Sequence, residues 1–284
     1  MNSFKVTLLM LVLMALFMAV GYLVGGQSGM VLAFFLAAAM NFFSYWYSDK
    51  MILKMYRARA VTESDHPRLC RVVRQVTSQA MLPMPKVHIV PTRAANAFAT
   101  GRNQEHAAVA VSEGLLELLT EDELEGVIGH ELAHIQNRDM LIGTIAATFA
   151  GAVGILALIA RWGAIFGGYG RGNDRGGGIG LLIAAIVAPL VAIIIQTAIS
   201  RQREFKADAE GGRITGKYLS LASALEKLHR APVQLNLDQR PATAHLMIVN
   251  PLSGKGITSL LSTHPPVEKR IERLRNMAQQ PPYG

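Results

Sequence analysis

Cysteine is nearly absent from this sequence, which has only Cys70 among its 284 residues. An intrachain disulfide is therefore excluded, and so are a disulfide-stabilised secreted scaffold and a cysteine-rich zinc module. Charged residues are also scarce, at 17% against roughly 25% in an ordinary soluble domain, whereas 51% of the residues are hydrophobic. This composition excludes a disordered chain and a nucleic-acid-binding tail, and it favours a membrane protein. Cys70 has apolar neighbours at helical spacing, so we expect a packed side chain rather than a nucleophile.

The longest stretch without a charged side chain covers residues 6–48. A helix needs about 20 apolar residues to cross a bilayer, so this stretch has room for two spans. Turn-forming residues at 25–29 divide it, and we predict a transmembrane hairpin over residues 1–46 with spans at 6–24 and 30–46. A cleaved signal peptide is the alternative for the first span. It is disfavoured because the apolar stretch is long, lacks an A-x-A site and is followed at once by a second one.

Two further uncharged runs predict a second hairpin over residues 140–200, with spans at 140–160 and 178–199. Buried helices of a soluble core are the alternative, although the glycines and the proline in these runs are tolerated better in bilayer helices. Two crossings return the chain to the same side of the membrane. Residues 47–139 and 201–284 can therefore form the two halves of one polar domain.

Basic residues lie next to the predicted spans. Lys50 and Lys54 follow the aromatic residues 45–47, and Arg201 and Arg203 follow the last span. Aromatic residues prefer the membrane interface and positive charges prefer its cytoplasmic side, so we expect the polar domain to be cytoplasmic. The net charge of +8 then reflects membrane orientation, and no nucleic-acid partner is expected.

The polar domain combines helical and strand patterns. Apolar residues at helical spacing predict a helix over 67–79, and alternation predicts a strand over 86–90. Residues 96–99 and 107–111 are further strand candidates, and Ser112 is suited to cap a following helix. We therefore predict a mainly α (α+β) multi-pass membrane protein whose polar domain carries a small β-sheet.

A capping box at residues 120–123 opens a helix that contains His130-Glu131-Leu132-Ala133-His134. Histidines four residues apart share a helix face, so both imidazoles can bind one zinc ion at about 2.0–2.1 Å. Glu131 lies beside them and can act on a water molecule. A surface helix with two unrelated histidines is the alternative. It is disfavoured because the flanks are apolar and burial of two unpaired imidazoles is costly.

A catalytic zinc ion requires a third protein ligand, and Glu204 and Asp208 are the candidates. They are four residues apart on one predicted helix face. One carboxylate can bind the metal while the other accepts the N–H of a ligating histidine. The alternative is a solvated helix face on which these carboxylates pair with Arg201 and Arg203.

Other residues are candidates for substrate contacts. His264 can stabilise a developing oxyanion, although a residue that only begins a helix before two prolines is the alternative. Arg270 is a weaker choice, and we expect a surface charge there. Asn96, Ala97, Phe98 and Ala99 can form an edge strand whose backbone pairs with an extended substrate, and an ordinary internal strand or loop is the alternative.

Four segments together resemble one known family. They are HELAH with the following Asn137-Arg138-Asp139, the REFKADA segment at 203–209, STHPPVEKRI at 262–271 and NAFATG at 96–101. The chain is similar over nearly its whole length to the HtpX-type membrane zinc metalloproteases of the M48 peptidase family. The resemblance implies a zincin-like (gluzincin) catalytic domain in which His130, His134 and Glu204 bind Zn²⁺. It also implies Glu131 as the catalytic base and Asp208 as the partner of a ligating histidine.

The same resemblance implies a function. We expect one Zn²⁺ per subunit and an endopeptidase of the bacterial cytoplasmic (inner) membrane that cleaves misfolded or damaged membrane proteins as part of protein quality control and the stress response. Its partners would be those substrates and the lipid bilayer. The alternative is a non-catalytic membrane scaffold or transporter with a structural zinc, but a structural site uses four protein ligands and only three are identifiable here. Intramembrane proteolysis is disfavoured because the metal motif ends where the third span begins.

Overall fold

A computed structural model describes residues 2–141, 145, 201–231 and 265–279. These residues belong to two compact units, of which the first contains the described part of Met1–Trp46. The second contains Tyr47–Leu141 and the described residues that follow position 199. The predicted spans at 140–160 and 178–199 lie outside the described residues, except for Met140, Leu141 and Ile145. The predicted role of His264 also lies outside them.

The first helix, α1, covers Asn2–Met55, and its chain reverses direction near Gly26. Asn41 Nδ2 donates a hydrogen bond to the carbonyl oxygen of Met10 at 3.3 Å, although a straight helix would separate these residues by about 46 Å. Gly26 has a φ of 61°, a conformation that glycine adopts without strain. Within the described residues, Gly26–Tyr47 is the one helix long and apolar enough to cross a membrane, by length and composition only. Val6–Tyr22 is apolar but shorter.

The second unit is mostly helical and contains a small sheet. Its helices are α2 (Pro67–Gln79), α3 (Glu113–Leu118), α4 (Glu121–Asn137), α5 (Arg201–Thr215), α6 (Tyr218–Arg230) and α7 (Val267–Gln279), and its strands are β1 (Arg59–Ala60), β2 (Lys86–Val90), β3 (Ala97–Gly101) and β4 (Ala107–Ser112). The predicted helix at 67–79 and the predicted strand at 86–90 are confirmed as α2 and β2. The strand predicted at 96–99 begins one residue later and extends to Gly101.

The sheet is mixed, with strand order β1-β2-β4-β3. β2 and β4 are parallel, whereas β1 and β3 pair antiparallel with their neighbours. β3 is therefore an edge strand within the described residues. Strand side chains alternate between the two faces of a sheet, and one face of this sheet joins the main core with α2, α4 and α6.

The predicted capping box is present at the start of α4. Thr120 Oγ1 accepts a hydrogen bond from the backbone N–H of Glu123 at 3.4 Å, and Glu123 Oε2 accepts one from the N–H of Thr120 at 2.9 Å. Glu123 also accepts hydrogen bonds from Ser223 Oγ and Lys227 Nζ on α6, both at 2.7 Å. Burial would raise the pKa of Glu123, but these donors outweigh burial and lower it. The ionised carboxylate therefore ties α4 to α6.

We expect Glu123→Gln to lower the melting temperature by about 2–4 °C near pH 7, because a cap interaction contributes about 1 kcal/mol. A carboxyl whose pKa is lowered by folding contributes stability above its unfolded value of about 4.3, and that contribution disappears as the pH falls through the folded value. The difference between variant and wild type should therefore shrink below about pH 4. Thermal unfolding in detergent between pH 7 and pH 3 measures it, with the exposed Glu117→Gln as control. A difference that is constant with pH would contradict the assignment.

Candidate metal centre

Two glycines allow α4 and α5 to cross in backbone contact. A Cβ on Gly129 would lie 2.9 Å from the carbonyl oxygen of Gly211, and a Cβ on Gly211 would lie 2.6 Å from the backbone nitrogen of His130. Any larger residue at these positions would push the helices apart. The crossing therefore brings the start of α5, which carries Glu204 and Asp208, against the histidine face of α4.

Three side chains from the two helices converge on one point. His130 Nε2 lies 3.2 Å from His134 Nε2, and Glu204 oxygens lie 3.7 Å from the first nitrogen and 3.6 Å from the second. Bonds of about 2.0–2.2 Å to one tetrahedral ion would place its ligand atoms roughly 3.3–3.6 Å apart. The two imidazoles and one carboxylate are also the donors that zinc prefers. The residues present therefore fit a single Zn²⁺, and the structure brings together the three residues that the family resemblance implies as ligands.

Each histidine has a carboxylate behind its other ring nitrogen. His130 Nδ1 lies 3.0 Å from Asp208 Oδ1, as expected for the partner of a ligating histidine, and His134 Nδ1 lies 3.5 Å from Asp139 Oδ2. Such carboxylates set the ring tautomer and orientation so that Nε2 points at the metal. Glu204 and Asp208 are both buried, so the alternative of a solvated helix face at this position is wrong.

Asp139 belongs to one of the segments that carry the family resemblance, but no role was assigned to it from the sequence. It reaches His134 because α4 ends in a left-handed residue, Arg138, with a φ of 56°. The chain then folds back, and the backbone N–H of Asp139 donates to the carbonyl oxygen of His134 at 3.0 Å. Arg203 Nη1 lies 4.0 Å from Asp139 Oδ1 on the other side. In the sequence, Asp139 is only a polar residue two positions beyond the end of α4. Its contact with His134 depends on the turn at Arg138.

The expectation of a surface charge at Arg270 is wrong. Its side chain is 1% exposed, and its Nε and Nη2 donate to the two carboxylate oxygens of Asp208 at 2.7 and 2.6 Å. Its Nη1 also lies 3.6 Å from Glu204 Oε2. A buried guanidinium requires such paired carboxylates. The missed signal was spacing, since Arg270 shares the inward face of α7 with Val267 and Leu274.

The electrostatics of the site follow from burial and from this pairing. Burial would raise the pKa of Asp208, but Arg270 and His130 outweigh burial and lower it. Burial lowers the pKa of His134, yet the carboxylates of Asp139, Glu204 and Glu131 raise it to about 9. With both histidines neutral, as metal binding requires, the four carboxylates outnumber the two guanidiniums, and this excess of negative charge suits a cation.

Glu131 is buried beside the converging donors, and burial raises its pKa to about 7. The backbone N–H of Ala99 donates a hydrogen bond to this carboxylate. A carboxyl group with a pKa near the working pH can both accept and release a proton. α4 therefore presents a proton-transfer group next to a site that can hold a metal.

The predicted substrate strand lies along this site as β3. The N–H of Ser112 donates to the carbonyl oxygen of Asn96 at 2.9 Å, so alternate residues of this strand bond to β4. The intervening Ala97 and Ala99 direct their backbone groups away from β4, and the N–H of Ala99 faces Glu131. The Phe98 side chain packs on the sheet face opposite α4.

Comparison with known proteins gives consistent results. The profile of peptidase family M48 matches residues 63–278. A protease HtpX homolog from Desulfatibacillum aliphaticivorans is 54% identical over 281 residues, covering 98% of this chain and 91% of that protein. A protease HtpX homolog from Pyrococcus furiosus is 54% identical over 274 residues, covering 96% of this chain and 95% of that protein.

The solved crystal structure of S. mikatae Ste24p has a similar fold, with a TM-score of 0.52 and 18% identity. The match covers 84% of this chain but only 57% of that one, so this chain spans little more than half of Ste24p. The profile match and the HtpX homologs together cover the helix with the two histidines, the helix with Glu204 and nearly all of the remaining chain. The chain therefore belongs to peptidase family M48.

Proposed function

We propose that this metalloprotease is a zinc-dependent endopeptidase of the bacterial cytoplasmic membrane in which Glu131 is the general base. Membership of family M48 and similarity to HtpX proteases support proteolysis as the activity. The observation that carries the finer proposal is the convergence of His130, His134 and Glu204 beside a buried carboxylate with a pKa of about 7. In this zincin-like arrangement, His130, His134 and Glu204 would hold one Zn²⁺ per subunit.

When bound, zinc supplies Lewis acidity that polarises the scissile carbonyl and acidifies a water molecule. Glu131 takes the proton of the attacking water and later delivers it to the leaving amine, so no covalent intermediate with the protein is formed. Asp208 and Asp139 keep both imidazoles in the orientation that directs Nε2 into the site. His264 remains our proposal for a donor to the developing oxyanion.

The edge of β3 suits an extended substrate. The outward backbone groups of Ala97 and the outward carbonyl of Ala99 can pair with a peptide strand without reading its side chains, while the N–H of Ala99 bonds Glu131. Such recognition is appropriate for misfolded or damaged membrane proteins, which share a backbone and no common sequence. β3 is buried in this structure, so substrate entry requires this edge to be uncovered.

The proposed topology has four spans and one cytoplasmic catalytic domain. The spans are 6–24, 30–46, 140–160 and 178–199, and the catalytic domain is formed by 47–139 and 201–284. The uncharged runs, the apolar helix Gly26–Tyr47 and the basic residues that follow it support this topology. A role in membrane-protein quality control and the stress response follows from the family resemblance.

Removal of the metal tests the proposal. We expect a chelator to abolish cleavage of an unfolded protein such as casein by the detergent-purified chain, and one equivalent of Zn²⁺ to restore it. His134→Ala should lose both zinc and activity, whereas His229→Ala, an exposed histidine on α6, should retain both. Full activity without bound metal would contradict a metalloenzyme. Bound zinc without any cleavage would instead favour the scaffold or transporter with a structural metal.

A further inference from the structure

β3 has few large side chains to hold it in place. Within the described residues it pairs with β4 alone, and its side chains towards α4 are those of Ala97 and Ala99. A strand that is hydrogen-bonded to only one neighbouring strand can rotate about that row of hydrogen bonds, a motion called roll below. Side chains packed on its two faces prevent this rotation. Phe98 is the one large apolar side chain among the five residues of β3. The orientation of this strand therefore depends strongly on what Phe98 contacts.

Phe98 packs against residues at the end of α1 and just beyond it, which belong to the second unit. Its side chain is 3% exposed and belongs to a cluster with Ile52, Val90 and Ala110. The ring of Tyr56 lies against it, with centroids 4.9 Å apart and planes tilted by 43°. Offset or tilted aromatic pairs at this distance are favourable beyond the area that they bury.

The backbone holds Tyr56 firmly in this position. Its N–H continues the helical pattern of α1 by donating to the carbonyl oxygen of Ile52 at 3.1 Å. Arg57 then adopts a left-handed conformation with a φ of 52°, which turns the chain towards β1. The ring of Tyr56 is thus set by a helix end on one side and by a sharp turn on the other.

We propose that Tyr56 is a positioning residue for the substrate: its ring holds Phe98 and thereby sets the orientation of the outward edge of β3. This inference rests on the proposed function, in which that edge pairs with an extended peptide. Tyr56 touches no reacting atom and acts only through Phe98.

The inference predicts an effect on binding. An extended substrate pairs with β3 in the ground state and in the transition state alike, so loss of the correct roll should raise KM and leave kcat nearly unchanged. Tyr56→Ala should raise KM for casein by about three- to tenfold, the value expected for loss of one aromatic pair. Tyr56→Phe keeps the ring and should restore the wild-type KM.

The experiment uses the full chain in detergent with zinc bound. Steady-state cleavage gives KM and kcat for wild type, Tyr56→Ala and Tyr56→Phe, and zinc content is measured on the same samples. Leu118→Ala, which removes a partly buried side chain of the main core on α3, controls for a general loss of stability. Amide hydrogen exchange should be at least tenfold faster at residues 97–101 in Tyr56→Ala and unchanged in α4.

The outcomes separate the inference from the proposed function. Unchanged KM and unchanged exchange at 97–101 in Tyr56→Ala would overturn the role of Tyr56. So would a purely additive KM increase in the double variant Tyr56→Ala/Phe98→Ala, because the tyrosine should matter only while Phe98 is present. If the wild type cleaves no unfolded protein, the proposed function fails, and the inference, which rests on it, falls with it.

Discussion

Glu131→Gln is expected to abolish proteolysis and to leave the metal bound. The substitution keeps the size of a buried side chain but removes the group that accepts and returns the proton, while His130, His134 and Glu204 are untouched. General acid–base catalysis contributes about 10²–10⁴ to a rate, and Glu131 serves in both proton transfers, so we expect kcat/KM to fall by at least about 10³. Cleavage of casein and zinc content, measured on the same preparation, test this expectation.

A control on the same helix makes this result specific. Glu125 is also buried on α4, but Gln75 and Lys217 hold it away from the metal donors. Glu125→Gln should keep zinc and activity within a few-fold of wild type. Wild-type cleavage by Glu131→Gln would exclude Glu131 as the base, whatever its position.

The same substitution has a second measurable effect. Burial raises the pKa of Glu131 to about 7, so folding favours the protonated carboxyl. When folding raises the pKa of a carboxyl group, the folded state loses stability as the pH rises from the unfolded pKa of about 4.3 to the folded pKa. Above the folded pKa, the stability does not decrease further for this reason. Metal-free Glu131→Gln should therefore melt at a higher temperature than metal-free wild type at pH 8 and at the same temperature near pH 4. A variant that melts at a higher temperature than wild type is folded, so its loss of activity would not be due to unfolding.

Arg270→Met should weaken zinc binding and destabilise the fold together. Removal of the guanidinium leaves the Asp208 carboxylate buried and without the Nε and Nη2 donors of its charged partner, which costs about 3–5 kcal/mol. Asp208 in turn orients His130, and loss of such support lowers metal affinity by about 10- to 100-fold. Zinc affinity, measured by competition with a chelator, and the melting temperature are the two readouts.

A double variant separates these two effects. Arg270→Met/Asp208→Asn removes the unpaired charge, so most of the stability should return, but zinc affinity should remain low because the carboxylate behind His130 is gone. Arg275→Met, an exposed arginine on the same helix that pairs with Glu226, should change neither property appreciably. Wild-type zinc affinity in Arg270→Met would show that α7 does not support the metal site.

Much of the site could be predicted because its elements are local. The spacing of His130 and His134 places both imidazoles on one helix face, and the capping box begins that helix at the expected residue. Alternation and apolar spacing located α2 and β2 for the same reason. In each case the physical cause acts within one or two turns of chain, so a short window of residues contains it.

The roles of Arg270 and Asp139 beside the histidines could not be predicted in this way. The spacing of Arg270 with Val267 and Leu274 indicates the inward face of α7, but only packing against α5 shows that its partner there is Asp208. Asp139 acquires its role from a left-handed turn at Arg138 that no spacing rule requires. The interpretation of Arg270 as a surface residue was wrong because burial is a property of the assembled helices.

By itself, the sequence determined where charge is absent, where α2, α3 and α4 begin and which helix face carries two histidines four residues apart. It left open which of Glu204 and Asp208 faces the metal, a choice that the family resemblance suggested. The tertiary structure places the two carboxylates differently: because Gly129 and Gly211 let α4 and α5 touch, Glu204 lies towards both Nε2 atoms and Asp208 lies behind His130. These carboxylates are 70 or more residues from the histidines in the chain, and only the close packing of two helices brings them together.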